Sequence, residues 1–240
     1  MALDELDMAA YTQTGHVRYG DLIDARHRFG GGITVGSDLA LATKRSIDVA
    51  VAAVSMVLLA PVFVVISLGV AVTSRGGVIF RHERVGRDGV RFKVLKFRTM
   101  TVGTHDRIWS DPERAEAFKA SGFKLAANDP SITRFGRFLR KTSLDELPQL
   151  INVLRGEMSL VGVRPLVPVE VAARSAYEQD LYRSMKPGIT GLWQVNGRSS
   201  VEHEDRCTLD RDYIEQWSLM SDISILVRTP FAVLRPHHTA

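Results

Sequence analysis

From Val49 to Val72 the chain runs 24 residues without a charged side chain. A helix of roughly 20 apolar residues is long enough to cross the hydrocarbon of a bilayer. The run starts too far from the N-terminus for an ordinary secretory signal, so it is expected to be retained. Pro61 stands at its centre, where a proline removes one helix hydrogen bond and clashes with the carbonyl four residues back, so the helix should kink or break there. Positive charge flanks the run on both sides, as Lys44 and Arg45 before it and Arg75 and Arg81 after it. A single span should concentrate its Lys and Arg on one side. A helix that enters one leaflet, bends at Ala60-Pro61 and returns would keep both ends on the same side. Proline is tolerated in true spans too, so composition leaves the spanning and re-entrant arrangements open. A buried core helix of a soluble domain is a third arrangement, and it fits 24 uncharged residues least well.

The length of 240 residues suits one domain, or one domain with an added segment. A net charge of +4 and a pI of about 9.4 imply an anionic partner: phospholipid, a phosphorylated substrate or nucleic acid. A nucleic-acid role would rest on charge alone and would require a soluble protein, which the apolar run opposes. Cys207 is the only cysteine, so an intrachain disulfide and a cysteine-based zinc site are both excluded. Residues 1–43 show no sustained apolar period and read as a partly disordered leader; 230–240 read as a tail.

After the apolar run, Gly86 to Gly89 contains Asp88-Gly89, a hairpin-turn signal. Val90, Phe92, Val94 and Phe97 alternate roughly with Arg91, Lys93 and Lys96, as in a half-buried strand. Arg81, Arg84, Arg87, Arg91, Lys93, Lys96 and Arg98 make this region a dense basic surface. Residues 103–127 read as a polar, partly helical insertion, Asn128-Asp129-Pro130-Ser131 as a turn, and Ile132 to Arg140 as a short amphipathic helix. Arg134, Arg137 and Arg140 recur every three residues and should share one side of it.

The stretch from Lys141 to Leu154 sets two adjacent carboxylates, Asp145 and Glu146, between that basic arm and an apolar face of Leu147, Leu150, Ile151 and Leu154. Pro148 fits best as the first residue of a helix, with the two acids in the turn before it, near the positive end of its dipole. Two carboxylates beside several cations could hold a divalent metal and attack phosphorus, a combination that phosphoryl transfer needs. The competing local reading is a capping box, with Ser143 as N-cap and Glu146 reaching back. Gly156 should end the helix.

Further on, Arg164 precedes Pro165 in an extended setting, where its guanidinium could meet phosphate bidentately. Lys186 to Arg198 carries glycines at 188, 191 and 197 and suggests a backbone-lined ligand loop. In it Trp193 is either a stacking platform for a base or sugar, or a core anchor. The spacing is not that of a P-loop or a dinucleotide fingerprint. Asp210 and Asp212 are further acids that could join a metal shell.

Eight motifs in this order resemble the monotopic phosphoglycosyl transferases, the bacterial sugar transferases that use polyprenyl phosphate. They are Lys44 to Asp48, the Pro-broken run, Phe80 to Gly89, Lys96 to Met100, Thr133 to Leu150, Met158 to Gly162, Lys186 to Gln194, and Tyr213 to Thr229, which together span about residues 44–229.

The resemblance implies an α+β, helix-rich monotopic membrane protein. One Pro-kinked re-entrant membrane helix (44–75) would carry a cytoplasmic catalytic domain (76–229) with a β-hairpin and interfacial amphipathic helices. It implies that Asp145 attacks a UDP-sugar, forms a phosphosugar-aspartate and passes the phosphosugar to undecaprenyl phosphate. Glu146, with Asp145, is implied in holding Mg2+, and Arg140 in assisting the dyad. Lys96, Arg98, Arg164, Pro165, Gly191, Trp193, Gln194 and Asp210 are implied in binding substrate. Val163 and Gly77 stand where the family often has Pro, and Ser131 where Arg is common. The expected setting is the bacterial inner membrane, with membrane lipid as a partner, no nucleic acid, and a homo-oligomer admitted. A catalytically idle membrane adaptor of a polysaccharide-assembly complex is the alternative; replacement of Asp145 or Glu146 would have favoured it.

Overall fold

The computed structural model describes residues 36–121, 125–126, 128–197 and 203–234. The sequence expectations for residues 1–35 and 235–240 lie outside the described residues. Helix α1 (Asp38–Leu58) begins ahead of residue 44, where the leader was expected to end. Ser37 caps it by accepting the Ala40 N–H at 3.3 Å, and Asp38 sits in the first turn, where a carboxylate favours the helix dipole.

The helix stops at Leu59, and α2 (Ala60–Thr73) restarts with Pro61 in its first turn, where the missing N–H leaves no donor unpaired. The two axes differ by 65°. Among the described residues no single helix is long and apolar enough to cross a membrane, whereas this bent pair meets that criterion together. Its apolar surface points outward: Val57 is 75% and Val72 87% exposed, and Val54, Leu58, Val64, Val65 and Leu68 are exposed beside them.

Strands β1 (Ile79–Val85) and β2 (Arg91–Phe97) form an antiparallel hairpin with Arg84 opposite Phe92. Asp88 and Gly89 close the turn at φ 57° and 75°, a backbone that Asp-Gly adopts readily. Val90, expected in the strand, lies in the turn and is 65% exposed. Strand β2 faces two cores. Phe92 and Val94 join Leu150, Val153, Met158, Leu181 and Tyr182; Phe97 joins Ile66, Val70 and Leu139.

The polar insertion carries α3 (Thr104–Trp109) and α4 (Pro112–Ala120). Asp129 then makes the expected turn, its carboxylate accepting both the N–H and the hydroxyl of Ser131. Helix α5 (Arg134–Thr142) follows, capped by Thr133. It lies so close to the end of β2 that a Cβ on Gly136 would fall 2.2 Å from the Thr99 carbonyl oxygen.

Helix α6 (Gln149–Arg155) leads into a two-stranded parallel sheet of β3 (Ser159–Val161) and β4 (Gly188–Thr190). The intervening chain carries α7 (Pro168–Ala172) and α8 (Ala176–Arg183); α9 (Leu192–Asn196), α10 (His203–Glu215) and α11 (Leu219–Leu234) complete the fold. A Cβ on Gly188 would fall 2.1 Å from the Gly162 nitrogen. Gly188 is therefore required by strand packing and does not line an open loop. Helix α11 runs to Leu234, past the tail boundary expected at 230.

Three residues within little more than one turn of α1 seat it on this domain. Lys44 Nζ reaches Asp222 Oδ2 at 2.5 Å and the Val161 carbonyl at 2.9 Å. Arg45 donates to the Val153 and Leu154 carbonyls at 2.6 and 3.0 Å. Asp48 accepts from Ser159 Oγ at 2.8 Å and the Leu160 N–H at 3.0 Å.

Candidate active site

Helix α5 ends because Ser143 turns left-handed, at φ 56°. The chain tightens into a 3-10 turn over Leu144–Glu146, with the Glu146 N–H donating to the Ser143 carbonyl at 3.1 Å. The capping-box reading is thereby corrected: Ser143 closes the preceding helix, and its side chain does not cap the turn. Pro148 takes the position just before Gln149, one residue earlier than expected, and the acid pair does lie ahead of the helix.

The apolar face also differs from expectation. Gln149, Leu150, Asn152 and Val153 are fully buried, whereas Leu147, Ile151 and Leu154 are only half-buried. Helix α6 is short and packs against both α1 and β2, so polar side chains turn inward. Asn152 uses its position fully: Oδ1 accepts the Leu95 N–H at 3.0 Å, and Nδ2 donates to the Lys93 carbonyl at 2.9 Å and to Glu157 Oε2 at 2.7 Å.

This scaffold brings four expected residues together. Asp145 is 8% exposed. Glu146, with its side chain 34% exposed, receives Lys96 Nζ at 2.5 Å. Arg140 donates Nε to Thr99 Oγ1 at 3.0 Å and lies close enough to both carboxylates to interact with them. Burial pushes the Asp145 carboxyl up to about 6. Lys96 pulls it back, the neighbouring Glu146 raises it further, and Arg140 lowers it.

A second group forms around Asp210, which is buried and pushed up to about 7 by desolvation against the pull of Arg174, Arg164 and Arg206. Arg174 Nη2 stands 3.8 Å from its Oδ2. Arg84 connects the two groups. Its side chain is 12% exposed, it pairs with Glu170 at 3.4 Å, and it feels both Arg164 and Glu146. Burial first, and then Arg164, hold it down at about 10. Arg84 Nε and Gln194 Oε1 are buried without a hydrogen-bond partner among the described residues. Gly191 presses against the Gly162 carbonyl, 2.3 Å from where a Cβ would sit, and brings Gln194 beside that loop. Pro165 is buried and leads to Leu166, whose carbonyl accepts the Val85 N–H at 3.0 Å.

Two expected residues are placed differently. Trp193 is buried, with the Arg206 guanidinium 5.2 Å from its ring centroid, so it acts as the core anchor and is not an open platform for a base. Arg98 donates to the Gly77 carbonyl at 2.7 Å and lies over Phe80. It therefore braces the junction between the apolar helices and the hairpin. Conversely, Arg174 and Arg206 were not singled out by sequence, and Arg84 stood out only as one member of the basic surface of the hairpin. Pairing of Arg84 with the buried Phe92 would have marked it, but that needs the strand register.

Among the described residues no group of three or more His, Cys, Asp or Glu is placed to hold a metal. Magnesium commonly takes only one or two carboxylates and completes its shell with water and substrate phosphate oxygens. Two adjacent, mutually repelling carboxylates, one of them partly exposed, fit that donor set.

Asp145, buried, and Glu146, partly exposed, thus lie beside Lys96 and Arg140, with Arg84 between this pair and the Asp210 group. The family model described as "Bacterial sugar transferase" matches residues 39–236, and the chain belongs to that family. It is 49% identical over 196 residues to the UDP-galactose-lipid carrier transferase of Erwinia amylovora, covering 80% of this chain and 40% of the relative. Against the undecaprenyl-phosphate galactose phosphotransferase of Salmonella typhimurium the identity is 44%, over 80% and 40% of the two chains. Against the exopolysaccharide production protein ExoY of Rhizobium meliloti it is 42%, over 79% and 84%. The chain thus spans about two fifths of the length of the first two relatives and most of the third.

Proposed function

We propose that this chain transfers a sugar-1-phosphate from a UDP-sugar to undecaprenyl phosphate, the opening step of a lipid-linked exopolysaccharide, capsule, O-antigen or glycoconjugate. The observation that carries the proposal is Asp145, buried between Lys96 and Arg140 and adjacent to Glu146. A carboxylate so placed is a nucleophile held beside cations that can take up charge on phosphate. An Asp145 oxygen attacks the β-phosphorus, the bond to the bridging oxygen breaks, and UMP departs with that oxygen and its electron pair. The acceptor's phosphate oxygen then attacks the phosphosugar-aspartate and restores the carboxylate. In this reading Arg140 and Lys96 hold the transferring phosphate, and Arg84 and Arg164 would receive the departing one. Glu146, with Asp145 beside it, would hold magnesium, which when bound neutralises charge on the diphosphate.

The bent pair α1–α2 is read as a re-entrant membrane element in the bacterial inner membrane, with the dyad on the cytoplasmic side. Its 65° break at Leu59 and its outward-facing valines support that reading.

The test is UMP release by detergent-solubilised protein with magnesium and undecaprenyl phosphate, across a panel of UDP-sugars. Release with one sugar, lost in Asp145→Asn, is the expected result and names the substrate. Silence across the panel from folded wild-type protein would favour the adaptor reading or a different nucleotide donor.

A further inference from the structure

At the end of α6 farthest from the dyad, three cations from distant parts of the chain converge. Gly156 closes the helix in the left-handed conformation, at φ 82°. A Cβ placed on it would lie 3.6 Å from both Arg45 Nη2 and Lys186 Nζ. The two nitrogens are therefore no farther apart than twice that distance, a gap that one phosphate can bridge with charge-assisted hydrogen bonds of roughly 2.8 Å. Arg87, on the hairpin tip, is close enough to act on the same lysine.

Lys186 is half-buried and has no hydrogen-bond or salt-bridge partner among the described residues. Burial first, then Arg45 and Arg87, lower its pKa. Asp48, the carboxylate that favours its charge, is committed to Ser159 Oγ and the Leu160 N–H. Nearby Glu157 accepts from Asn152. Arg45 already donates to the Val153 and Leu154 carbonyls and Arg87 faces Asp88 at 3.6 Å, so Lys186 is the cation of the three whose donors stand unpaired among the described residues.

Its depth indicates what occupies it. Arg45 precedes Val49, where the uncharged run begins, by four residues, or about 6 Å at 1.5 Å per residue. The polar zone of a bilayer is roughly 5–7 Å thick on each side. On the membrane reading above, on which this inference rests, the cluster stands at headgroup level.

We propose that Arg45, Lys186 and Arg87 form a phosphate cradle over Gly156 that holds the headgroup of an anionic phospholipid, a phosphatidylglycerol-type phosphodiester, beside the membrane helix and apart from the dyad. A free phosphate shares the chemistry but lacks acyl chains to hold it at that depth.

The full chain in neutral detergent is titrated with short-chain phosphatidylglycerol, short-chain phosphatidylcholine and inorganic phosphate, with bound lipid and thermal midpoint recorded. Phosphatidylglycerol should bind saturably and raise the midpoint, and phosphatidylcholine far less. Lys186→Gln should weaken phosphatidylglycerol about fivefold, while Arg155→Gln, at an exposed arginine on the same helix end, should leave it unchanged. Undiminished binding by Lys186→Gln, or equal loss in Arg155→Gln, would overturn the cradle. Inorganic phosphate protecting as well as the lipid at equal concentration would overturn the lipid assignment. Membrane association is scored separately: recovery of wild-type protein in the detergent-free soluble fraction sinks the membrane reading, whatever the lysine variant does.

Discussion

Asp145 must be withdrawn from water to be held in place, yet negative to attack phosphorus, and the two demands oppose each other. Burial lifts its carboxyl to about 6, above the ordinary value of roughly 3.9. An acid with a raised folded-state pKa binds its proton more tightly when folded. That contribution to stability is complete below about pH 4 and is lost as pH rises through 6. Catalysis runs the other way, since only the carboxylate attacks, so transfer should rise with pH on an apparent pKa near 6. Asp145→Asn mimics the neutral form. It should abolish transfer and, at pH 8, stabilise the fold by on the order of 1–3 kcal/mol, an advantage absent at pH 4. Thermal unfolding of both proteins at the two pH values, beside UMP release, is the check; an equal difference at both pH values would place the raised pKa elsewhere. The dyad was legible in the sequence because its two acids are consecutive. Trp193 was not, because whether its ring faces a ligand or Arg206 depends on how α10 folds back. Arg84 and Arg206 reach the site from remote segments, and no local spacing marks them.

At the scale of elements, two short pieces of sequence determine geometry out of proportion to their size. One is Asn152, which is fully buried and joins α6 to β2 through two hydrogen bonds, with a third to Glu157 just past the helix. Since β2 also carries Lys96, this joint fixes the distance between that lysine and Glu146. Asn152→Ala leaves the Leu95 N–H and the Lys93 carbonyl without their partner and opens a small void. A loss of about 2–4 kcal/mol is expected, with transfer reduced even where the protein remains folded. A thermal midpoint within about a degree of wild type would show that water replaces the amide. The other piece is Pro61. Its central place in the run made a kink legible, but the angle depends on contacts that composition does not carry: Val62 and Phe63 packing with Phe97 and Leu139, and Gly69 lying against Phe135. Pro61→Leu removes the breaker, worth about 3 kcal/mol in a helix interior, and should allow a continuous helix. A cysteine at position 37, in a Cys207→Ser background, should then change from cytoplasmic to periplasmic labelling. Unchanged labelling would mean that packing on α5, and not the proline, holds the bend.

Across the whole molecule, the apolar pair and the active site are mechanically one body, because α1 is keyed into the domain by buried charge. Lys44 has two partners, Asp222 and the Val161 carbonyl. Asp222 has more: besides Lys44, it accepts from Tyr213 Oη at 2.8 Å and from Trp217 Nε1 at 3.2 Å. Breaking a buried pair by removing one partner typically costs 3–5 kcal/mol, because the surviving charge is left uncompensated. The unequal partner sets make the two single variants unequal. Asp222→Leu strands the Lys44 ammonium on one carbonyl and should cost about 3–5 kcal/mol. Lys44→Met leaves a carboxylate that keeps two donors and can take up a proton, so its cost should be smaller, about 1–3 kcal/mol. The double variant removes both charges and should cost less than the two singles together, a coupling readable as a double-mutant cycle of thermal midpoints in detergent. Strict additivity would mean that the two groups do not act as a pair. Function should follow stability here. Arg45, one residue along α1, holds the carbonyls that end α6, and α6 begins just after the dyad. Loosening the Lys44–Asp222 key should therefore lower transfer in the Asp222→Leu protein at temperatures where it is still folded, although neither residue approaches the substrate.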